Sequence, residues 1–524
     1  MTLSAPARQL YADIKAHSTE VQRRDNGHHG TVHVADTGDN AYWAYEQLRN
    51  AVEYQEQHLL MRSAINRYLL RTFAAPQADQ HSLGTQIIRE LTKARYLEND
   101  SVSKRTLEEI DRRLAAYQKL HEYALHSFKD RQRSLQLIVG VISSDLQHLL
   151  LPNPVQDALL NFVYHSYQSH LAPGDKLRTV AENTALYAAV HRALLKSDTP
   201  TIHRYMFENQ FPGWSSSDQH IKAAAAHLKQ FFDTVETATQ GKRSHEISRM
   251  VRSRIAPYVI LYHTLTESAH PEELLARPEK LTAIATQVAE DQYKKAKTRL
   301  RSAVVRTIIF LFITKTLIGL SIELPYEYFI LEEIHPLPLV INLLFPPLYM
   351  LLIALTIKTP NRRNTDQIVR DLRAVMYGEG ELQYTLRRQD EKSDIGVAFN
   401  IIYTLCTLAV MGGIGYILYL LDFNIVSGII FFIFFSTVSF FGYRISQSVR
   451  ELVVVQKRNA FDMLWGVITT PFIRLGQWLS DRYSRFNVFM LVLDFIIEAP
   501  FKTLLRVYEQ WTAYLRDKQD DVLR

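Results

Sequence analysis

The feature that most restricts this chain is a pair of apolar runs, residues 302–324 and 337–357, joined by a short acidic turn marked by proline. Each is about as long as the roughly 20 residues a helix needs to cross hydrocarbon. Two more such runs cover 395–421 and 425–443. In lipid every backbone amide must be bonded within its own segment, so each run must be a helix. The part before residue 301 is polar by comparison, with apolar residues at helical spacing. The expected fold is all-α: a polytopic α-helical membrane protein with a large N-terminal cytoplasmic helical domain.

Cations set the expected topology. Lys294, Lys295, Lys297, Arg299 and Arg301 precede the first run, and no Lys or Arg occurs from Thr316 to Ile357. Lys358, Arg362, Arg363, Arg370 and Arg373 follow. The stretch from Ile395 to Tyr443 is again free of Lys and Arg, and Arg444, Arg450, Lys457 and Arg458 come next. The positive-inside rule then predicts two hairpins with both turns outside and the N-terminus cytoplasmic, in a multi-pass protein of the cell (plasma) membrane. Met1–Asn26 has no apolar core of the kind a cleavable signal carries, so the first run is expected to direct insertion.

Composition refines this picture. The chain has 524 residues, enough for two to four folding units at about 150 residues each. Mean hydropathy of -0.12 averages a polar part against an apolar one. The net charge of +6 comes largely from cations next to apolar runs, which points to anionic phospholipid and not to nucleic acid. A single cysteine, Cys406, excludes intramolecular disulfides and cysteine zinc clusters.

The organisation expected along the chain is as follows. An N-terminal helix and polar loop fill 1–40, and a cytoplasmic all-helical domain fills 41–300. The first hairpin is 301–358. A cytoplasmic amphipathic linker occupies 359–393, and the apolar side of 364–378 suits a membrane surface. The second hairpin is 394–444, and an interfacial, amphipathic helical tail fills 445–524. Within the N-terminal domain, helices are predicted over 175–196 from an Asp175 cap, over 245–267 and over 274–306. Residues 135–150 are apolar but short and interrupted by Ser143, Ser144 and Asp145, which suits a buried core helix.

Several residues could carry chemistry. Ionisable side chains in spans are costly and often functional. Lys315 falls near the middle of the first run, with Glu323 and Glu327 toward its outer end. Lys315 and Glu323 are about 12 Å apart along a straight helix, so direct pairing is not expected without a break. One reading has Lys315, Glu323 and Asn342 lining a polar path. The other has the lysine paired in the bundle and the glutamates facing outer water. Pro346 and Pro347 remove helix hydrogen bonds and could free carbonyls for an ion. Ala409, Gly412 and Gly413 give the third run a small-residue surface suited to close helix packing. Asp494 and Glu498, four apart, could act as paired carboxylates, or face water from an interfacial helix. His28, His29 and His33 sit in a polar loop that does not require a metal.

No nucleotide-binding, kinase, hydrolase or metalloprotease motif is present, no cofactor is called for, and nothing in the chain resembles a known family. The expectation is a membrane-anchored helical scaffold or interaction protein, with protein partners for the cytoplasmic domain and room for a homo-oligomer. The alternatives are an oligomeric channel or transporter using the first hairpin, and an interfacial enzyme acting on lipid or envelope substrates.

Overall fold

The computed structural model describes residues 3–24, 31–33, 43, 46, 57–74, 82–128, 130–332, 336–357, 360–380, 382–386, 394–454 and 460–485. Among them the structure is helical, and extended pairing is confined to two isolated bridges. The chain divides into two compact units. One is built mainly from Ala5–Val251 and the other mainly from Arg252–Leu382 and Leu386–Asn487.

The first unit contains α1 (Ala5–Arg24), α2 (Gln57–Ala74), α3 (Leu83–Lys93), α4 (Lys104–Ala124), α5 (Arg131–Leu150), α6 (Pro154–His170), α7 (Val180–Leu194), α8 (Thr199–Gln210), α9 (Asp218–Gln240) and most of α10 (Lys242–Arg254). Short polar side chains start these helices. Ser103, Asp130, Asn153, Asp198 and Ser217 each accept a hydrogen bond from a first-turn amide. The helix expected from Asp175 begins instead at Val180. Thr179 and Glu182 form a capping box there, which satisfies two amides reciprocally. The core stacks Ile65, Leu69, Ile138 and Ile142 with Tyr117, Phe207 and Phe231.

The second unit begins with α11 (Ala256–Thr266) and α12 (Pro271–Ala276). The single helices expected over 245–267 and 274–306 are each divided. Pro257 and Pro278 sit in first turns, where a missing N–H costs nothing, and so mark new starts. From Pro278 one helix, α13 (Pro278–Ile318), runs without interruption from polar into apolar sequence. At about 1.5 Å per residue it is about 60 Å long. It continues through two π-helical turns, Gly319–Glu323 and Glu327–Leu331, so the first apolar helix ends near Leu331 and not at Leu324.

The remaining helices are α14 (Pro336–Thr356), α15 (Arg362–Tyr377), α16 (Asp394–Leu420), α17 (Ile425–Arg450) and α18 (Ala460–Arg485). Four described helices are long and apolar enough to cross a membrane: Pro278–Leu331, Pro336–Thr356, Tyr403–Leu420 and Ile425–Gln447. Leu311, Tyr349, Met350, Phe434, Phe435 and Phe472 form the centre of this bundle.

Two local expectations change. The apolar side of α15 is not free for a membrane surface. Ile368, Leu372 and Met376 are buried, and the helix packs on α11 and α13. Among the described residues the Ala409–Gly413 surface of α16 meets no neighbouring atom at Gly412 or Gly413. Close approach occurs instead at Gly442, beside Ile353, and at Gly476, against the Ser436 carbonyl and Phe440. Gly476 and Phe472 thus set α18 against the middle of α17, with the Phe472 and Phe435 rings 4.1 Å apart.

A methyl group at residue 476 would fall on the Ser436 backbone, which cannot move aside as a side chain can. Gly476→Ala should therefore cost about 1–3 kcal/mol and lower the unfolding midpoint of the detergent-solubilised protein. Gly412→Ala, with no neighbouring atom in the way, should not lower it, since alanine is the better helix former.

Candidate functional site

The most unusual chemistry lies inside the apolar bundle. Pro325 has no N–H for the Ser321 carbonyl, and its ring crowds that carbonyl in a regular helix. The chain answers with the π-turn Gly319–Glu323, which bonds one residue further and places more residues in each turn. The axial climb from Lys315 to Glu323 shortens and Glu323 rotates toward the lysine. The Lys315 Nζ–Glu323 Oε1 distance is 2.6 Å, and both side chains are almost fully buried, at 1% and 2% exposure. The break that the straight-helix spacing lacked is thus supplied by a proline one residue beyond the expected end of the run.

Hydrogen bonds continue from this pair. Asn342 donates from Nδ2 to Glu323 Oε1 at 2.9 Å and to the Ser427 carbonyl at 3.2 Å. Asn424 accepts from the Ser427 N–H at 2.8 Å, starting α17, and donates to Glu327 Oε1 at 3.0 Å. The result is a polar chain, Lys315–Glu323–Asn342–Ser427–Asn424–Glu327, that ties α13 and its π-turns to α14 and the start of α17. Glu327 is fully buried, so neither glutamate faces water. The lysine ammonium also lies 4.9 Å from the centre of the Phe434 ring. Asn342 Oδ1 and Ser427 Oγ are buried with no hydrogen-bond partner.

Pro346 and Pro347 lie inside α14, which runs through both. Pro346 removes the N–H that would bond the Asn342 carbonyl, so the helix is loosened at the residue that receives Glu323. The cations Lys294, Lys295, Lys297, Arg299 and Arg301 are exposed along α13. Two of them are paired, Lys294 with Asp291 at 3.0 Å and Lys295 with Glu267 at 3.6 Å. His33 is exposed beside Asp100 at 3.2 Å. His28, His29, Asp494 and Glu498 lie outside the described residues. Among the described residues no group of three or more His, Cys, Asp or Glu side chains is arranged to hold a metal.

The first unit holds a second polar set that pattern reading did not find. Asp145, buried on α5, accepts from Tyr117 Oη at 3.2 Å and faces Arg113 at 3.6 Å and Arg204 at 3.8 Å. Arg204 also pairs with Glu208 at 2.8 Å and stacks on Tyr205, whose hydroxyl donates to Asp157. Burial pushes the Tyr117 and Tyr205 hydroxyls well above their ordinary range, and nearby carboxylates add to it. The one sequence signal was Asp145 itself, a carboxylate at the heart of an apolar helix. Between α1, α6, α7, α8 and α9 the same unit opens a cleft of about 1370 Å³, lined by carboxamides, hydroxyls and aromatic rings.

No protein-family model, curated protein or solved structure matches the chain.

Two outcomes follow. Lys315→Met leaves the Glu323 carboxylate buried without its cation, and breaking such a pair costs about 3–5 kcal/mol. The double variant Lys315→Met/Glu323→Met should recover most of that loss in thermal unfolding of the solubilised protein. In the first unit, burial pushes His191 down to about 3 and His203 down to about 4, with Arg204 and Arg192 adding to the effect. Both are neutral when folded and bind protons on unfolding. Their stability is complete above the ordinary value near 6.5 and is lost as pH falls below it. At about pH 5 each should cost about 2 kcal/mol. Hydrogen exchange of α7 and α8, corrected for intrinsic rate, should accelerate accordingly, and His191→Phe should remove part of the change.

Proposed function

We propose that the chain is a multi-pass protein of the cell membrane whose apolar bundle anchors a helical interaction domain on the cytoplasmic side. The observation that carries this reading is the reversed distribution of polarity in the bundle. Lys315, Glu323, Glu327 and Asn342 are inside, while Ile309, Phe310, Ile313, Leu320 and Leu355 point outward, with Leu317 at 66% exposure. In water such a contiguous apolar surface would drive aggregation; against lipid tails it is the stable arrangement. The exposed cations of α13 suit anionic headgroups at about 1 kcal/mol each. The open surface at Gly412 and Gly413 suits a second copy of the helix, and so a homo-oligomer. The cleft of the helical unit suits a partner on the inner side.

The buried polar chain favours a second reading, an oligomeric channel or transporter in which Lys315, Glu323 and Asn342 pass an ion or proton. The closed geometry of the Lys315–Glu323 pair supports the anchoring reading more strongly, because each charge already has its partner.

One cysteine-labelling experiment tests the layout. In a Cys406→Ala background, cysteines at Glu332 and Asp422 should react with an impermeant maleimide added to intact cells. Cysteines at Arg363 and Arg450 should react only after lysis. Uniform labelling, or recovery of the chain in the supernatant without detergent, overturns the anchoring reading. Ion flux in proteoliposomes abolished by Glu323→Gln would select the second reading instead.

A further inference from the structure

The cleft between α1, α6, α7, α8 and α9 is open and, at about 1370 Å³, larger than the roughly 300–1,000 Å³ typical of a small-molecule site. Among its described lining residues the one side chain with a formal charge is Asp13, and no Lys or Arg is present. A nucleotide, a phosphorylated headgroup or an acidic peptide would find no counter-charge there. What the cleft offers is carboxamides: Asn161 and Gln168 from α6, Asn183 from α7, Asn209 from α8 and Gln230 from α9. A carboxamide presents a donor and an acceptor together, which is the complement of a peptide unit's own C=O and N–H.

Part of this set is held in place before any ligand arrives. Gln168 spends both N–H donors, on Tyr164 Oη at 2.9 Å and on Asn183 Oδ1 at 2.8 Å, and its own oxygen stays available. Asn183 is in turn fixed to the Thr179 carbonyl at 3.0 Å. Preorganised groups of this kind lose little entropy on binding. Beneath them, Phe162 and Phe231 are buried and line an apolar floor. A polar rim over an apolar floor matches an extended strand, whose side chains alternate in direction while its main chain seeks partners.

The same unit already captures one extended segment of its own chain at the end of α6. The Tyr384 N–H donates to the His170 carbonyl at 2.8 Å, and its carbonyl accepts from the Ala172 N–H at 2.9 Å. The Tyr384 ring packs on Tyr167 at 4.7 Å. Main-chain capture is therefore a mode this helical unit uses two residues beyond Gln168.

We infer that the cleft binds an extended, non-acidic peptide segment of a partner protein, recognised through its main chain by the carboxamide rim. This rests on the reading of the helical unit as an interaction domain and names the ligand it takes. The test uses the full chain in detergent micelles, so it does not depend on membrane topology. A random linear-peptide library is selected against it, and the strongest peptide is resynthesised with N-methyl groups on alternate amides. Asn161 and Gln230 are exposed and make no hydrogen bond on which folding depends, so Asn161→Leu/Gln230→Leu should fold normally. The expected result is saturable binding that falls at least about tenfold in this variant and with the N-methylated peptide. Gln168→Leu should weaken binding in the same way. Selection of nothing, selection of peptides that the variant binds equally, or binding to a glycan array in place of peptides would each overturn the proposal. Failure here with correct cysteine labelling would leave the anchored protein standing and remove only its peptide ligand.

Discussion

An ammonium group inside an apolar helical bundle has to be paired, and the arrangement of the second unit follows from how Lys315 meets that requirement. The only nearby carboxylates on its own helix lie eight and twelve positions ahead, too far along a regular α-helix. Pro325 forces a π-turn, the turn brings Glu323 within 2.6 Å, and the paired carboxylate then needs a further donor. Asn342 supplies it from α14 and reaches on to α17. The proline supplies the helix defect, and the buried ion pair it closes then ties α13 to α14 and, through Asn342, to α17.

The uninterrupted helix α13 gives that bundle a rigid base. Its polar half packs with α11, α12 and α15, and its apolar half carries Lys315. Asn364 at the start of α15 locks the junction. Its amide donates to the Tyr293 hydroxyl at 2.8 Å and the Leu452 carbonyl at 2.7 Å, and accepts from the Val454 N–H at 2.7 Å. One side chain thus ties the polar half of α13 to the segment that leaves α17. Each of its bonds contributes about 1 kcal/mol, and together they fix an angle that loops alone would leave free.

What the sequence made legible was whatever depends on composition and local chemistry. The apolar runs and the polar helical region before them are local statements, and the all-helical structure with four span-length helices agrees with them; the cap read at Asp175 is supplied instead by Thr179. What it hid depends on partners far away in the chain. The surface character assigned to 364–378 was a correct amphipathic pattern, but α11 and α13 cover that face, and periodicity cannot name what covers it. Ala409, Gly412 and Gly413 form a small-residue surface, and the described residues place no neighbour against Gly412 or Gly413. Gly442 and Gly476 are isolated, yet they are where backbones meet. The Lys315–Glu323 pair was hidden by assuming a regular rise, when Pro325 lay in plain view as the residue that breaks it. Asp145 breaks an apolar run in the sequence, and the same carboxylate organises the polar core of the first unit through partners that the local pattern does not name.

The two buried polar sets meet the same cost in different surroundings. In the first unit, Asp145 has Tyr117, Arg113 and Arg204 around it, and the outer members of that group, Arg113 and Glu208, reach partly exposed positions where water finishes the job. In the bundle Lys315, Glu323 and Asn342 are all almost fully buried, so the charged pair is answered by a side chain, while Asn342 Oδ1 and Ser427 Oγ stay without a partner. That is why Asn342 matters more than its single amide suggests. It donates to both a carboxylate and a carbonyl, while Pro346 one turn later removes the N–H its own carbonyl would have used. A leucine there would strip Glu323 of its second donor and the Ser427 carbonyl of the bond that joins α14 to α17. A charged pair in an apolar interior is therefore held by a neutral amide as much as by its own attraction.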